Sequence, residues 1–139
     1  MDGFTWGAFA CYLLAVSGFI IFGFTYLLSP KCMSYHEVAL GKKWEELDAK
    51  LQTLLLALMK AGSGGGLSIS LAMIAMLVFP FRSGDRWSYY VIPICGLIVS
   101  GVTIYAMLLV RKKTNAKPPI ILNASGIMLI VIGVILSAF

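Results

Sequence analysis

Four apolar stretches separated by short polar connections dominate the chain. They cover residues 6–28, 54–81, 87–110 and 119–139. As helices, all four reach the length of about 20 residues that crosses the hydrocarbon core of a bilayer. Ser29-Pro30 ends the first stretch, a polar turn at 82–86 separates the second from the third, and Pro118-Pro119 opens the fourth. The pattern predicts an all-α fold, a four-helix transmembrane bundle that forms a single integral membrane domain over residues 1–139.

The connection between the first two spans differs from the others because charged and apolar residues alternate in it. A stripe with spacings of three and four residues predicts an amphipathic helical segment; its members are Leu40, Trp44, Leu47, Leu51, Leu54 and Leu58. Ser34 and Glu37 fit a capping box, which predicts a helix from Tyr35. Asp48 is a second candidate cap and Gly41 a candidate break, so one bent helix and two helices both fit the pattern.

Composition supports a membrane location. Hydrophobic residues make up 60% of the chain, charged residues only 12%, and the mean hydropathy is +0.92, whereas about a quarter of the residues in soluble domains are charged. The net charge of +5 could suit nucleic acid. However, the basic residues cluster beside apolar runs, where they act as topology signals and headgroup contacts. We therefore expect membrane lipids as partners and no nucleic acid.

The distribution of basic residues predicts the orientation. Eight lie in the first and third connections, against two in the second: Lys31, Lys42, Lys43, Lys50, Arg111, Lys112, Lys113 and Lys117, against Arg82 and Arg86. By the positive-inside rule, a multi-pass protein of the cell inner (cytoplasmic) membrane then has both termini on the non-cytoplasmic side. Five cations on the cytoplasmic side are candidate contacts for a lipid headgroup: Lys50, Lys60, Arg111, Lys112 and Lys113.

Small residues mark candidate helix contacts. Gly62, Gly66 and Ser70 recur every four residues in the second span. Ser100 offers a close contact in the third span, and Asn123, Gly126 and Gly133 share a face of the fourth. Such spacing is typical of closely packed membrane helices, and in the second span it could also mark a hinge. The glycine cluster does not match a phosphate-binding loop, because Lys60 precedes the glycines instead of following them.

Candidates for catalytic or cofactor chemistry are few. His36 beside Glu37 could serve as a general base or a haem ligand, but a bis-histidine haem site needs a second histidine and this chain has one. The pattern favours an interface residue there, and a snorkelling role for Lys60. The spans contain no carboxylate of the kind that couples small exporters to protons. No catalytic residue, metal site or cofactor is assigned.

The run HEVALGKKWEELDAKLQTLLLALMKAGSGGG, the turn RSGDRW and the segment YAMLLVRKKT resemble those of small bacterial four-helix membrane proteins, DoxX-like in layout. This resemblance covers most of the chain and implies a bundle of four short-looped spans, with no catalytic residue to carry over. The function expected is a non-enzymatic structural, lipid-contacting or accessory subunit of a membrane complex, with a membrane-protein partner or a second copy. The alternative is a small carrier or redox-accessory protein that uses Lys60 and a Gly62–Gly66 hinge.

Overall fold

In the computed structural model, which describes residues 2–138, the chain is helical without β-strands over that range. Four helices are long and apolar enough to cross a membrane, which confirms the predicted all-α fold. They are α1 (Gly3–Leu28), α3 (Ala49–Met76), α4 (Ser88–Lys113) and α5 (Ile120–Ser137), with the short helix α2 (Ser34–Leu40) between the first two. The fourth predicted span extends to residue 139, which lies outside the described residues.

The connection between α1 and α3 contains one helix, α2, and a 3₁₀ turn, Trp44–Glu46. α2 ends at Gly41, whose φ of +66° is a left-handed conformation that suits glycine. Asp48 caps α3 by accepting hydrogen bonds from the backbone N–H groups of Lys50 and Leu51 at 3.1 and 3.0 Å. Of the two arrangements left open by the sequence, the two-helix arrangement is therefore confirmed.

Two details of this segment correct the sequence-based expectations. The Ser34–Glu37 capping box is wrong, because α2 begins one residue earlier than predicted and Glu37 Oε1 instead accepts from the Trp44 N–H at 3.2 Å. The leucine stripe does not form one continuous face, because the break after Leu40 changes the helix direction. Leu47 is buried, whereas 55% of Leu54 and 62% of Leu58 is exposed.

The second span is longer than predicted, reaching from Ala49 to Phe81. Its last turn, Leu77–Phe81, is a π-helical turn that contains Pro80. Proline has no N–H for the regular helical hydrogen bond, and a wider turn accommodates it. This turn leaves Leu77 and Phe81 fully buried, at the end of the bundle where α3 connects to α4.

The packed core occupies this end of the bundle. α1 packs against both α3 and α5, and α4 packs against α5. The fully buried core side chains include Tyr12 of α1, Met73 and Phe81 of the second span, Ile92 of α4 and Ile130 of α5. α3 and α4 meet here as well, because a Cβ atom at Gly96 would lie 3.2 Å from the Met73 methyl group. The opposite end, next to the basic connections, is built differently.

Candidate functional site: an apolar cavity between α3 and α4

A cavity of about 920 Å³ lies in the half of the bundle nearest the basic connections. Its walls come from residues 14–26 of α1, 55–69 of α3, 98–107 of α4 and 119–129 at the start of α5. On α3 these residues span about 21 Å along the helix axis, at 1.5 Å per residue. The volume lies within the 300–1,000 Å³ that is typical of small-molecule sites.

The cavity opens between α3 and α4, the two neighbouring spans that separate beyond the core. Both edges of the opening carry residues that line the cavity and are exposed at the same time. On α3 these are Leu58, Ala61, Gly62, Gly65 and Ile69, and on α4 they are Ile98 and Val102. Exposed lining residues also occur at Leu14 and Gly18 of α1 and at Leu122 and Ser125 of α5, but those two helices pack closely against each other. The opening therefore runs along the two helices, on a side of the bundle that faces lipid when the spans cross a membrane.

The glycines of α3 widen this opening. A Cβ atom added at Gly62, Gly65 or Gly66 would meet no atom within 4 Å, and all three residues line the cavity. The close contact expected at Gly62 and Gly66 with a helix of the same chain is therefore not found among the described residues. α3 is also a continuous helix through the cluster.

The other small residues singled out in the sequence lie at closer contacts. A Cβ atom at Gly133 would come within 2.6 Å of the Tyr12 ring, and one at Gly126 would lie 3.6 Å from the Phe19 ring. Ser70 is buried, and its hydroxyl donates to the Gly66 carbonyl at 2.8 Å. Gly126 and Gly133 thus lie where α5 packs against α1, whereas the Gly62–Gly66 face borders the cavity.

The lining of the cavity is apolar and uncharged. Leucine, isoleucine, valine, phenylalanine, methionine, alanine and glycine supply most of it, and among residues 2–138 no Lys, Arg, Asp or Glu side chain contributes. The polar members are Tyr26, His36, Ser63, Ser100, Thr103, Asn123 and Ser125. Two of these have a fully buried oxygen without a hydrogen-bond partner, Ser100 Oγ and Asn123 Oδ1. Such orphaned groups are uncommon in folded proteins.

α2 covers the end of the cavity nearest the basic connections and contributes His36, Ala39 and Leu40 to its lining. The Tyr26 and Tyr35 hydroxyl groups form a short hydrogen bond that ties α2 to α1. The His36 ring lies against both tyrosines, with ring centroids 6.2 Å from Tyr26 and 4.1 Å from Tyr35. His36 Nδ1 accepts a hydrogen bond from the Met33 N–H at 3.3 Å, so the neutral ring carries its proton on Nε2.

Docking of α2 is expected to weaken in mild acid. Burial lowers the pKa of His36 below its usual value of 6.5, so the docked state binds fewer protons than the undocked state. Stability therefore rises with pH: the contribution of His36 is complete above about 6.5 and is lost progressively below it. In an NMR titration, the Met33 amide signal should shift with the imidazole signals. Because His36 is the single histidine, His36→Gln should remove the transition, and a pKa above 6.5 would contradict this account.

The five candidate headgroup cations do not form one site. Lys60 Nζ donates to the carbonyl of Leu27 at the end of α1, at 2.7 Å, where a cation also interacts favourably with the helix dipole. The other four, Lys50, Arg111, Lys112 and Lys113, are exposed. None of the five lines the cavity. The five cations lie at the same end of the bundle as the cavity but outside its lining.

Sequence reasoning placed His36 at the interface and missed the cavity that it borders. Ser100 and Asn123 were noted only on faces expected to pack. The available signal was the presence of polar side chains in otherwise apolar spans, which says nothing about whether their partners are protein or ligand.

In comparisons with known proteins, no protein-family model, curated protein or solved structure matches the chain.

Proposed function

We propose that this protein is a small, non-enzymatic, lipid-contacting protein of the bacterial cytoplasmic membrane, which holds one lipid-like molecule in the cavity between α3 and α4. The main support for this proposal is the cavity, which has a volume of about 920 Å³ and is lined by uncharged and mostly apolar residues. A DoxX-like layout of four short-looped spans is compatible with this role and contributes no site residues to it.

The position of the opening favours a lipid over a water-soluble ligand. Within a bilayer the surrounding solvent is hydrocarbon, and the edges of the opening carry exposed apolar residues such as Leu58 and Val102. An acyl or isoprenoid chain can enter there without leaving an apolar environment. The far end of the cavity is covered by α2, close to the exposed cations of the basic connections.

The alternative of a carrier that uses Lys60 and a glycine hinge receives less support. Lys60 is held by the Leu27 carbonyl and lies outside the cavity lining. The glycines belong to an uninterrupted helix. Gly62 and Gly66 favour the lipid-binding proposal, because their missing side chains leave room along the edge of the opening.

The proposal also places both termini on the non-cytoplasmic side of the membrane. Its support is the charge distribution, with eight basic residues in the first and third connections against two in the second. The test uses Lys117→Cys in a variant that lacks Cys11, Cys32 and Cys95. The introduced thiol should react with an impermeant maleimide only after the cells are permeabilised. A cysteine at Ser83 serves as the matched control and should react in intact cells. The reverse pattern would invert the orientation.

Filling the cavity tests the proposed function. Gly62→Leu/Gly66→Leu places two branched side chains at its edge, where both Cβ positions are free of other atoms. The matched control is Gly64→Leu/Ser68→Leu, which has the same spacing on α3 at two positions outside the cavity lining. In native mass spectra from a mild detergent, the parent and the control should carry one lipid per chain. In the cavity variant, the amount of lipid retained should fall about tenfold, because overpacking typically weakens binding by this much.

Two outcomes would overturn the proposal. Equal lipid retention in the parent and both variants would show that lipid binds elsewhere. A dimer of the parent that only the cavity variant dissociates would show that the opening receives a second copy. Both double variants replace glycine in a helix and should keep or raise thermal stability, because glycine costs about 1 kcal/mol relative to a good helix former.

A further inference from the structure

The hydroxyl of Ser100 is the exception among the serine and threonine side chains of the four spans. Hydroxyls in membrane helices normally donate to a carbonyl one turn earlier. Thr103, Ser63 and Ser70 do so at 2.7, 2.6 and 2.8 Å. Ser100 Oγ has no partner, although the residue is 99% buried. An unpaired buried hydroxyl is costly, so its retention here calls for an explanation.

A second unpaired group lies on α5, the helix that packs against α4. Asn123 Oδ1 of α5 is buried without a partner, and both Asn123 and Ser100 line the cavity. α4 and α5 pack against each other in antiparallel fashion, with Gly96 against Ile130. One to two turns nearer the basic connections, this wall therefore presents Ser100 and then Asn123. The chain places an acceptor and a hydroxyl, both neutral, along one wall of an apolar site.

We propose that the bound lipid is uncharged and carries a hydroxyl head that Ser100 and Asn123 bind. The proposal deepens the lipid-binding function above and rests on it. The head donates its O–H to Asn123 Oδ1 and accepts from the Ser100 hydroxyl, so both orphaned groups gain a partner. Both oxygens are covered as placed, so binding requires each side chain to rotate toward the cavity; one rotation about the Ser100 Cα–Cβ bond moves that hydroxyl between staggered positions.

The same groups disfavour other lipid classes. A carboxylate or phosphate head would enter a site without a cationic side chain, and an unpaired charge in an apolar medium is strongly unfavourable. An ester, ether or ketone head accepts hydrogen bonds but donates none, so it would leave Asn123 Oδ1 unpaired. Among these heads, a hydroxyl is the one that both donates and accepts without carrying a charge.

A panel of three oleoyl lipids on the delipidated parent protein tests this assignment. The probes are 1-monooleoylglycerol, the same molecule with both hydroxyls methylated, and oleate at pH 9. Their retention is measured by native mass spectrometry in a mild detergent. Two neutral hydrogen bonds should make monooleoylglycerol bind about tenfold more tightly than its methyl ether. Oleate should bind more weakly than either neutral lipid.

Ser100→Ala and Asn123→Leu should each reduce the preference for the alcohol over the ether. Ser63→Ala is the matched control, because Ser63 lines the same cavity but its hydroxyl is already bonded to the Met59 carbonyl at 2.6 Å. This variant should keep the full preference. Ser100→Ala should fold well, because it removes an unpaired buried hydroxyl and introduces a strong helix former.

The outcomes separate this inference from the function on which it rests. Equal binding of the alcohol and the ether by the parent would overturn the hydroxyl assignment while the cavity remains a lipid site. Tighter binding of oleate would overturn it as well, in favour of an acidic lipid. Should none of the three be retained, and the leucine double variant behave like its control, both the inference and the lipid-binding function would fall.

Discussion

Gly133→Leu is expected to be the most damaging single substitution in the chain, with a loss of about 3 kcal/mol or more in the free energy of unfolding. A Cβ atom at Gly133 would lie 2.6 Å from Cε1 and 2.9 Å from Cζ of the Tyr12 ring. Tyr12 is fully buried and packs edge-on against Phe81 at 5.8 Å, so its ring has no free space into which to move. The added side chain must push α1 and α5 apart.

Thermal denaturation in a mild detergent measures this effect. Gly101→Leu is the matched control, because it makes the same change in a membrane helix at a position where a Cβ atom meets nothing within 4 Å. The control should be as stable as the parent or more stable, since leucine favours helix over glycine by about 1 kcal/mol. A Gly133→Leu protein that melts with the control would show that α1 and α5 are not in contact at this depth.

Phe81→Ala should have the second largest effect on stability, a loss of about 3 kcal/mol, near the lower end of the range for buried phenylalanine. Phe81 is fully buried and contacts the rings of Phe9, Tyr12 and Tyr89 at centroid distances of 6.2, 5.8 and 4.7 Å. Lipid is as apolar as this core, so the loss arises from vacated packing contacts and not from hydrophobic transfer.

Phe79 provides the comparison for Phe81. It lies in the same π-helical turn but is 70% exposed, so Phe79→Ala should change the melting temperature little. Both variants are measured in the same detergent, to hold the apolar surroundings constant. If the two melt alike, the π-helical turn does not direct Phe81 into the core, and the packed end of the bundle is described incorrectly.

The spans could be predicted from the sequence because their length and hydropathy are properties of the chain itself. The short connections and the prolines at their edges then determine the number of spans. Boundaries were less accurate where a local cap extends a helix. The second span begins at Ala49, five residues before the predicted start at Leu54, because Asp48 caps it. A capping signal was visible, but the choice between one helix and two depended on the left-handed turn at Gly41.

The cavity could not be predicted from the sequence. A row of small residues such as Gly62, Gly66 and Ser70 fits a close helix contact and an opening equally well, and the difference depends on where α3 and α4 separate. That separation depends on packing at the other end of the bundle, where Met73 and Phe81 join a core with Tyr12 and Ile130, residues far from them in the sequence. For the same reason, the sequence positions of Ser100 and Asn123 fit packing residues, and only the structure shows that their buried oxygens lack hydrogen-bond partners.

The central claim is that lipid enters the cavity between α3 and α4, and methionine methyl groups report on it most directly. Met59 and Met107 line the cavity, Met73 is fully buried in the packed core, and Met128 is 65% exposed on the outside of the bundle. In nanodiscs with protonated acyl chains, methyl-labelled protein should show cross-relaxation from lipid chains to Met59, Met107 and Met128, and none to Met73. If Met59 and Met107 instead behave like Met73, lipid does not enter the cavity and the account is contradicted.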